Sequence, residues 1–350
     1  MYELADIRSI QLEPSSFCNA RCPGCVRNER GFNVNTGYTE RNLALTEVQQ
    51  ILPRDFVRQL HFVLYNGNLG DMLMNPEIVD ITAWLLEVNP ELRIEANTNG
   101  GAGRAELWQG LGRLGIQCNF ALDGLEDTHH LYRQNTLWTT VIRNAKIFME
   151  AGGRAVWKMI EFDHNRHQID TCRQRAQELG FAEFQLLEAS TNRGSSIAFG
   201  LNGEFSHGIE GWSLVMDHRE YSKDRLKKFP GMWSREILDN TKRRVECAAK
   251  KKGDLYINSL GEVYPCCFVG HNPRTIKAPI YPPAKQLRPL LEDAENNALQ
   301  HPLSHCIQWF NRISETWRHD TIVEGGLIVC HRNCGRDEAW WDTRKRIDTL

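Results

Sequence analysis

From residue 7 to about residue 190 the chain repeats one pattern: a short apolar run, then a segment with helical spacing. The runs fall at 7–12, 61–65, 92–97, 116–122, 155–162 and 184–187. The helical segments between them fall at 45–60, 76–88, 104–114, 139–151 and 169–179. In the first of these, Val48, Ile51, Leu52 and Phe56 recur at helical spacing, and Thr46 is placed to cap the start. Strand-then-helix alternation implies a parallel sheet joined by right-handed crossovers. Six such units stop short of the eight that close a full barrel. The expected fold class is therefore α/β, a partial (β/α)6 TIM-like barrel. Its functional loops should follow the carboxyl ends of the strands.

The pattern ends near residue 195, so residues 1–195 read as the barrel. Residues 196–245 are rich in Gly, Ser and Asn and then basic (KDRLKKFPG, TKRR), and read as a linker or substrate-side insertion with a solvated face. Residues 246–350 read as a small C-terminal β-hairpin and helix domain. There GDLYINSLGEVYPCC alternates, turns and alternates again, and 289–300 has helical spacing.

Composition narrows the function. The 350 residues carry a net charge of −2, with 41% hydrophobic and 25% charged residues. That describes a globular protein and argues against a nucleic-acid or anionic-membrane surface as its main business. No apolar run approaches the roughly 18 residues that span a bilayer. The start, MYELADIRSI, has neither the basic nor the apolar part of a signal peptide, so the cytoplasm is the expected location.

Eleven cysteines are too many for such a chain to carry without purpose, and their odd count in a reducing compartment points to metal rather than disulfides. Cys118 and Cys172 stand alone in apolar or helical contexts and read as small buried hydrophobes. Cys18, Cys22 and Cys25 form a C-x3-C-x2-C triplet in the loop after the first strand. Three thiolates on a tight loop suit a four-iron cubane with one iron left open; a zinc site would want a fourth Cys or His close by, and none follows. In the last third, the hairpin brings Cys247 and Cys266 together, and Cys330 and Cys334 form a second pair. Four thiolates hold either zinc or a fully ligated cluster. Cys306 is a rival ligand, and Cys267 points to the opposite side of a continuing strand.

The triplet resembles the signature of the radical S-adenosylmethionine (radical SAM) superfamily, and the likeness extends over roughly the first 190 residues. It implies a [4Fe–4S] cluster whose open iron binds the amino and carboxylate groups of S-adenosylmethionine. It also implies reductive cleavage to a 5′-deoxyadenosyl radical that takes hydrogen from a substrate. The family usually has an aromatic residue before the last cysteine, near the adenine; here Gly24 stands there, and backbone around Val26 would have to serve. The run Asn66-Gly67-Asn68-Leu69-Gly70-Asp71 occupies the place of the family's Gly-Gly-Glu, so Gly67, Asn68 and Asp71 are either contacts to the cofactor's ammonium or a plain turn. Asn97-Thr98-Asn99-Gly100 is similar to the family's Thr-Asn-Gly, and Ala121-Leu122-Asp123-Gly124 to its Ser-Leu-Asp-Gly, with Arg133 downstream. Asn97, Asn99 and Asp123 are thereby cofactor-site candidates. Asp163, His164 and Asn165 either line the pocket or cap the next helix, and His129 and His130 read as structural or solvated. Asp123, Glu161 and Glu188 lie near strand ends, and none stands out as an acid or base.

The C-terminal cysteines resemble the auxiliary-cluster extensions called SPASM and twitch. Too few are present for the full SPASM set, which implies one auxiliary [4Fe–4S] cluster on Cys247, Cys266, Cys330 and Cys334. These resemblances imply a ribosomally made peptide as substrate, with dehydrogenation of a small polar metabolite as the alternative. They also imply an electron donor such as flavodoxin or ferredoxin. Only 17 residues precede Cys18, so a leader-binding function would fall to a separate protein. A non-catalytic iron–sulfur or zinc-binding protein is the alternative of a different class.

Overall fold

The computed structural model describes residues 2–23, 25, 27–29, 33–34, 39–162, 164–188, 242, 244–271, 286–291 and 295–336. Its centre is an eight-stranded sheet. In chain order the strands are β1 (Ser9–Leu12), β2 (Phe62–Tyr65), β3 (Arg93–Thr98), β4 (Gln117–Ala121), β5 (Arg154–Glu161), β6 (Glu183–Glu188), β7 (Asp254–Ile257) and β8 (Val263–Tyr264). They lie in the order β8-β7-β1-β2-β3-β4-β5-β6, parallel throughout except for the antiparallel β7–β8 hairpin. Helices Ile78–Val88, Ala105–Arg113, Trp138–Glu150 and Ile169–Glu178 cross between successive strands from β2 to β6, and two short helices between 45 and 59 cross from β1 to β2, so the described residues hold six parallel strands and five of the expected crossovers.

Side-chain alternation divides the sheet into two faces. Ile10, Leu12, Val63, Tyr65, Ile94, Ala96, Cys118 and Phe120 are buried in the core beneath the helices. The residues between them are polar and join across strands. Gln11 Nε2 donates to Asp254 (2.6 Å), Asn66 Nδ2 to Gln11 (2.7 Å), Asn97 Nδ2 to the Asn66 carbonyl (3.0 Å), and Asn119 Nδ2 to Asn97 (3.2 Å). Lys158 Nζ reaches the same Asn97 oxygen at 3.4 Å. A belt of amides therefore crosses the inner face from β7 to β5. Among the described residues no helix is long and apolar enough to cross a membrane.

Two segments, 45–60 and 289–300, depart from expectation. The segment 45–60 is two helices, Leu45–Ile51 and Arg54–Gln59, because Pro53 lacks an N–H and cannot continue a helix; it starts the second one instead. Thr46 lies inside the first turn, and Glu47 caps by accepting from Ala44 N at 2.9 Å. The described residues of 289–300 are not one α-helix: Arg288–Leu291 is a 3-10 turn and 295–300 are turns. Asn296 and Asn297 turn their amides onto the Val263 and Leu260 carbonyls, and Asn297 Oδ1 takes the Leu299 N–H. The helix begins after Pro302, at Leu303–Glu315, and buries Leu303, Cys306, Ile307, Phe310 and Ile313 along one face. The expected C-terminal hairpin forms, but as part of the barrel's own sheet: β7 pairs in register with β1, Ser9 opposite Asp254 and Leu12 opposite Ile257. Most of the segment 196–245 lies outside the described residues.

Cys118 and Cys172 are fully buried, as expected of small hydrophobes. The core between β4 and its flanking helices rests on Trp108, whose ring lies 5.2 Å from Phe120 and 6.1 Å from Phe148. Its indole N–H donates to the Ala102 carbonyl at 3.0 Å. Truncation should leave a large cavity and an orphaned carbonyl. Trp108→Ala is expected to cost about 3–5 kcal/mol, read as a lower urea midpoint at unchanged slope.

Candidate active site

Cys18, Cys22 and Cys25 lie on the loop that leaves the carboxyl end of β1, at the mouth of the barrel. Neighbouring strand ends hold this loop. The Asp71 N–H donates to the Phe17 carbonyl at 2.8 Å, and the Arg21 N–H to the Gln134 carbonyl at 2.9 Å. Asn135 Nδ2 donates to the Asn19 carbonyl at 2.6 Å, and Cys25 N closes a turn onto the Cys22 carbonyl at 3.1 Å. Gly70 makes the approach possible. A Cβ there would sit 2.7 Å from Phe17 O and from Ser16 Cα, and closer still to Ser15 O, all backbone atoms with nowhere to go.

Two polar groups reach the sulfurs. Asn99 Nδ2 lies 3.6 Å from Cys18 Sγ, and Arg133 Nη1 lies 3.8 Å from Cys22 Sγ. Burial pushes the thiols up, Cys22 to about 11, while the Arg133 guanidinium pulls Cys22 down. Burial also raises Cys25, opposed by the Arg27 and Arg133 charges. Thiolates are the metal-binding form, so these cations favour ligation where burial alone would oppose it. Arg27 is itself buried, donating to the Ser16 carbonyl at 3.0 Å and paired with Glu40.

Behind these groups lie buried carboxylates. Asp123 is fully buried. It accepts from Arg133 Nε and from the Ile160 N–H, both at 2.6 Å, which fixes the guanidinium toward Cys22. Burial pushes Asp123 up, and Arg133 opposes it. Asp71 stands where the sequence offered either an ammonium contact or a plain turn. Its carboxylate is buried and already accepts from the Leu73 N–H, Thr98 Oγ1, the Asn99 N–H and Asn99 Nδ2, the last two at 2.7 Å. Asp71 instead orients Asn99, which turns to Cys18 and to Asn19 Oδ1 (3.0 Å). Gly67 keeps its place in the loop through a left-handed φ of 77°. Asn68 follows it, with its side chain facing Cys267.

Asn97 belongs to the amide belt below this layer. Asn165 is wholly buried and spent on backbone: its Oδ1 accepts from Phe162 N at 2.7 Å and its Nδ2 donates to the Ile160 carbonyl at 3.0 Å. Asp163, Gly24, Val26 and the Glu188 side chain lie outside the described residues. Glu161 pairs with Arg166 at 2.6 Å. An apolar group formed by Ala20, Tyr132 and Phe162 packs against all three cysteines and Ile160, and the His164 ring stacks on Phe162 at 5.2 Å.

Glu13 and Arg27 were not legible as site residues. Glu13 is buried at the end of β1 and accepts from Asn68 N (2.8 Å), Leu69 N (3.3 Å) and Tyr256 OH (3.3 Å). Burial pushes it up to about 7, against those donors. It ties the 66–71 loop to β7, and a lone Glu after a strand carries no signal of that role.

Cys247, Cys266, Cys330 and Cys334 line one pocket with Pro265, Phe268, Val269 and Trp317. Cys247 and Cys334 share a hydrogen bond, which lowers Cys247 and raises Cys334 as one coupled pair. Donors surround the sulfurs. The Lys250 N–H lies 3.5 Å and the Tyr2 hydroxyl 3.4 Å from Cys247 Sγ, and the Trp317 indole lies against Cys330. Cys306 is elsewhere, its thiol 3.9 Å from the His301 carbonyl. Cys267 faces Asn66 and Asn68 rather than the pocket. Among the described residues no three His, Cys, Asp or Glu converge as around a single ion.

Two outcomes follow, one for the cysteine loop and one for the buried His129. In Gly70→Ala the loops cannot close, so iron bound after anaerobic reconstitution should fall by about four per chain with circular dichroism unchanged. His129 is buried, receives the Asp123 N–H on Nδ1 at 3.3 Å, and places Nε2 3.0 Å from Thr136 Oγ1, a neutral ring. Burial first, then Arg133, lowers its pKa from 6.5 to about 3. The unfolded chain therefore takes up a proton that the folded one refuses, and stability falls as pH drops through that window. In His129→Gln, urea midpoints should lose this part of the decline between about pH 6.5 and pH 5.

Residues 12–160 match the family described as the Radical SAM superfamily. No curated protein sequence matches the chain. In fold it is similar to Streptococcus suis SuiB bound to S-adenosylmethionine, at TM-score 0.53 and 14% identity over 92% of this chain and 73% of that one. It is similar to SuiB bound to the precursor peptide SuiA at TM-score 0.52 and 15% identity, over 91% and 66% of the two chains. It is also similar to anSMEcpe with bound AdoMet at TM-score 0.56 and 14% identity, over 97% and 91%. The family match runs from the end of β1 into β5 and takes in the three cysteines at the end of β1, and the solved structures share this chain's fold.

Proposed function

We propose that this chain is an enzyme that holds a [4Fe–4S] cluster on Cys18, Cys22 and Cys25, reductively cleaves S-adenosylmethionine there, and uses the resulting radical for oxidative modification of a ribosomally made peptide. The observation that carries this reading is the pinning of three thiols on one loop at the barrel mouth, with Asn99 and Arg133 turned to two of the sulfurs. The donor set fits the group. Three soft ligands leave one position for a substrate, and nearby cations offset the charge of three thiolates.

When bound, cluster and S-adenosylmethionine supply an electron transfer that breaks a carbon–sulfur bond and leaves a 5′-deoxyadenosyl radical to take hydrogen from substrate. The chain's own residues position and shield. Asn99, oriented by Asp71, and Arg133, oriented by Asp123, hold the sulfur environment. Tyr132, Phe162 and Ile160 give the apolar wall for the adenine that Gly24 does not. Glu13 keeps the 66–71 loop against the mouth.

A second cluster on Cys247, Cys266, Cys330 and Cys334 belongs to the same proposal. Their common pocket and its surrounding N–H and O–H donors support it, since hydrogen bonds to sulfur tune such clusters. A twitch-like auxiliary site could take an electron from a substrate radical, making the net change an oxidation. The peptide substrate rests on the likeness in fold to SuiB, which has been seen with its precursor peptide. A separate leader-binding protein and a flavodoxin- or ferredoxin-type donor complete this reading. The amide belt favours a second one, dehydrogenation of a small polar metabolite, because its Gln, Asn and Lys groups suit hydroxyls and carbonyls.

Anaerobically reconstituted protein given S-adenosylmethionine and a strong reductant should release 5′-deoxyadenosine, and Cys18→Ala should release none. A carrier or zinc protein would release none in either form. Metal analysis should find about eight irons per chain; about four with one zinc would remove the auxiliary cluster. A mass change in an incubated precursor peptide selects the first substrate class, and a lack of one selects the second.

A further inference from the structure

Lys250, Lys251 and Lys252 are exposed on a short helix, Ala248–Lys252, that begins directly after Cys247. With Arg8 they line a concavity shared with Tyr2, Asp6 and Gly253. Asp6 is the carboxylate among those lining residues, so four cations face one anion in a chain of net charge −2. Arg8 is held by the Ala5 and Ile7 carbonyls at 2.6 and 2.8 Å, which fixes its charge at the rim.

This basic rim borders the four-cysteine pocket. The Lys250 N–H lies 3.5 Å from Cys247 Sγ, and Lys250 Nζ lies 6.0 Å from the centre of the Trp317 ring, which lines that pocket. Tyr2 lines the concavity and places its hydroxyl 3.4 Å from the same sulfur. The helix is five residues long, and a helix rises about 1.5 Å per residue, so a body seated on these lysines stands within about 8 Å of helix from Cys247. The patch also lies at the amino-terminal end of the strands. Arg8 precedes β1 and Gly253 precedes β7, joined by the Arg8 N–H to the Gly253 carbonyl at 2.8 Å. The triplet lies beyond the opposite end of β1, so a partner here leaves the barrel mouth open to substrate.

We propose that the Arg8, Lys250, Lys251 and Lys252 surface docks an acidic one-electron carrier protein that exchanges electrons with the auxiliary site. This rests on the reading of Cys247, Cys266, Cys330 and Cys334 as a cluster site. In the reductive direction one electron leaves the reduced carrier and enters the oxidised cluster, and no bond or proton moves. Transient redox encounters rest on complementary charge more than on buried area, so a compact patch of this kind suffices. Lysines in the last turn of a helix also stabilise its carboxyl end, a structural role that predicts an effect on stability and none on an encounter rate.

The test uses the full chain carrying both clusters, reduced flavodoxin as probe, and stopped-flow absorbance of cluster bleaching. In the wild type the second-order rate should fall steeply with added salt. In K251E/K252E it should fall by about tenfold at low salt and lose its salt dependence, while iron per chain is unchanged. K251Q/K252Q, which is gentler on the helix end, should lie between the two. An unchanged flavodoxin rate and salt dependence in both variants would overturn the docking surface. Iron analysis of the wild type separates this from the underlying reading: about four irons per chain would remove the cluster itself, and docking at it with it.

Discussion

Four residues, Ser9–Leu12, are paired along both edges, with β2 on one side and β7 on the other. A parallel strand buried in this way has little freedom in register, because a one-residue slip would turn Ile10 and Leu12 from the core to the polar face. Both candidate centres take their position from this strand. The cysteine triplet leaves its carboxyl end. The segment that carries Cys247 enters the sheet beside its start, where Ser9 and Gln11 donate to Asp254 at 3.0 and 2.6 Å. A register error at β1 would displace both sets of thiols at once.

The two centres meet the cost of buried sulfur differently. At the triplet, whole charges do the work. Arg133 and Arg27 stand near the thiols and are themselves held by Asp123 and Glu40. Each of these cations is paired, so none is left as an uncompensated buried charge. At the four-cysteine pocket the help comes from dipoles: peptide N–H groups, the Tyr2 hydroxyl and the Trp317 indole. Fixed dipoles and solvent exposure set the potential of an iron–sulfur cluster, as do charges, so the two surroundings suit centres of different potential.

Much of the fold was legible because hydrophobic periodicity is local. The six strands and most crossover helices lie within a residue or two of where alternation and 3.6-residue spacing put them. Periodicity failed where a single residue overrides it. Pro53 divides one apolar pattern into two helices, and Asn296 and Asn297 turn amides onto backbone in a segment whose spacing looks helical. That the four C-terminal cysteines line one pocket was legible from one close pair and a hairpin. Their placement beside Tyr2 was not, since that contact spans 245 residues of sequence.

What the sequence determined by itself is the chemistry on offer: three closely spaced thiols after a first strand, two further pairs, and an α/β frame to carry them. These are properties of residue type and short spacing, and they survive without coordinates. Only the tertiary structure decided roles. Asp71 became the group that aims Asn99, Glu13 the tie on the 66–71 loop, and β7 a strand of the barrel. The physical reason is that a buried carboxylate acts through whichever donors converge on its lone pairs, and those donors come from strand ends far apart in the chain.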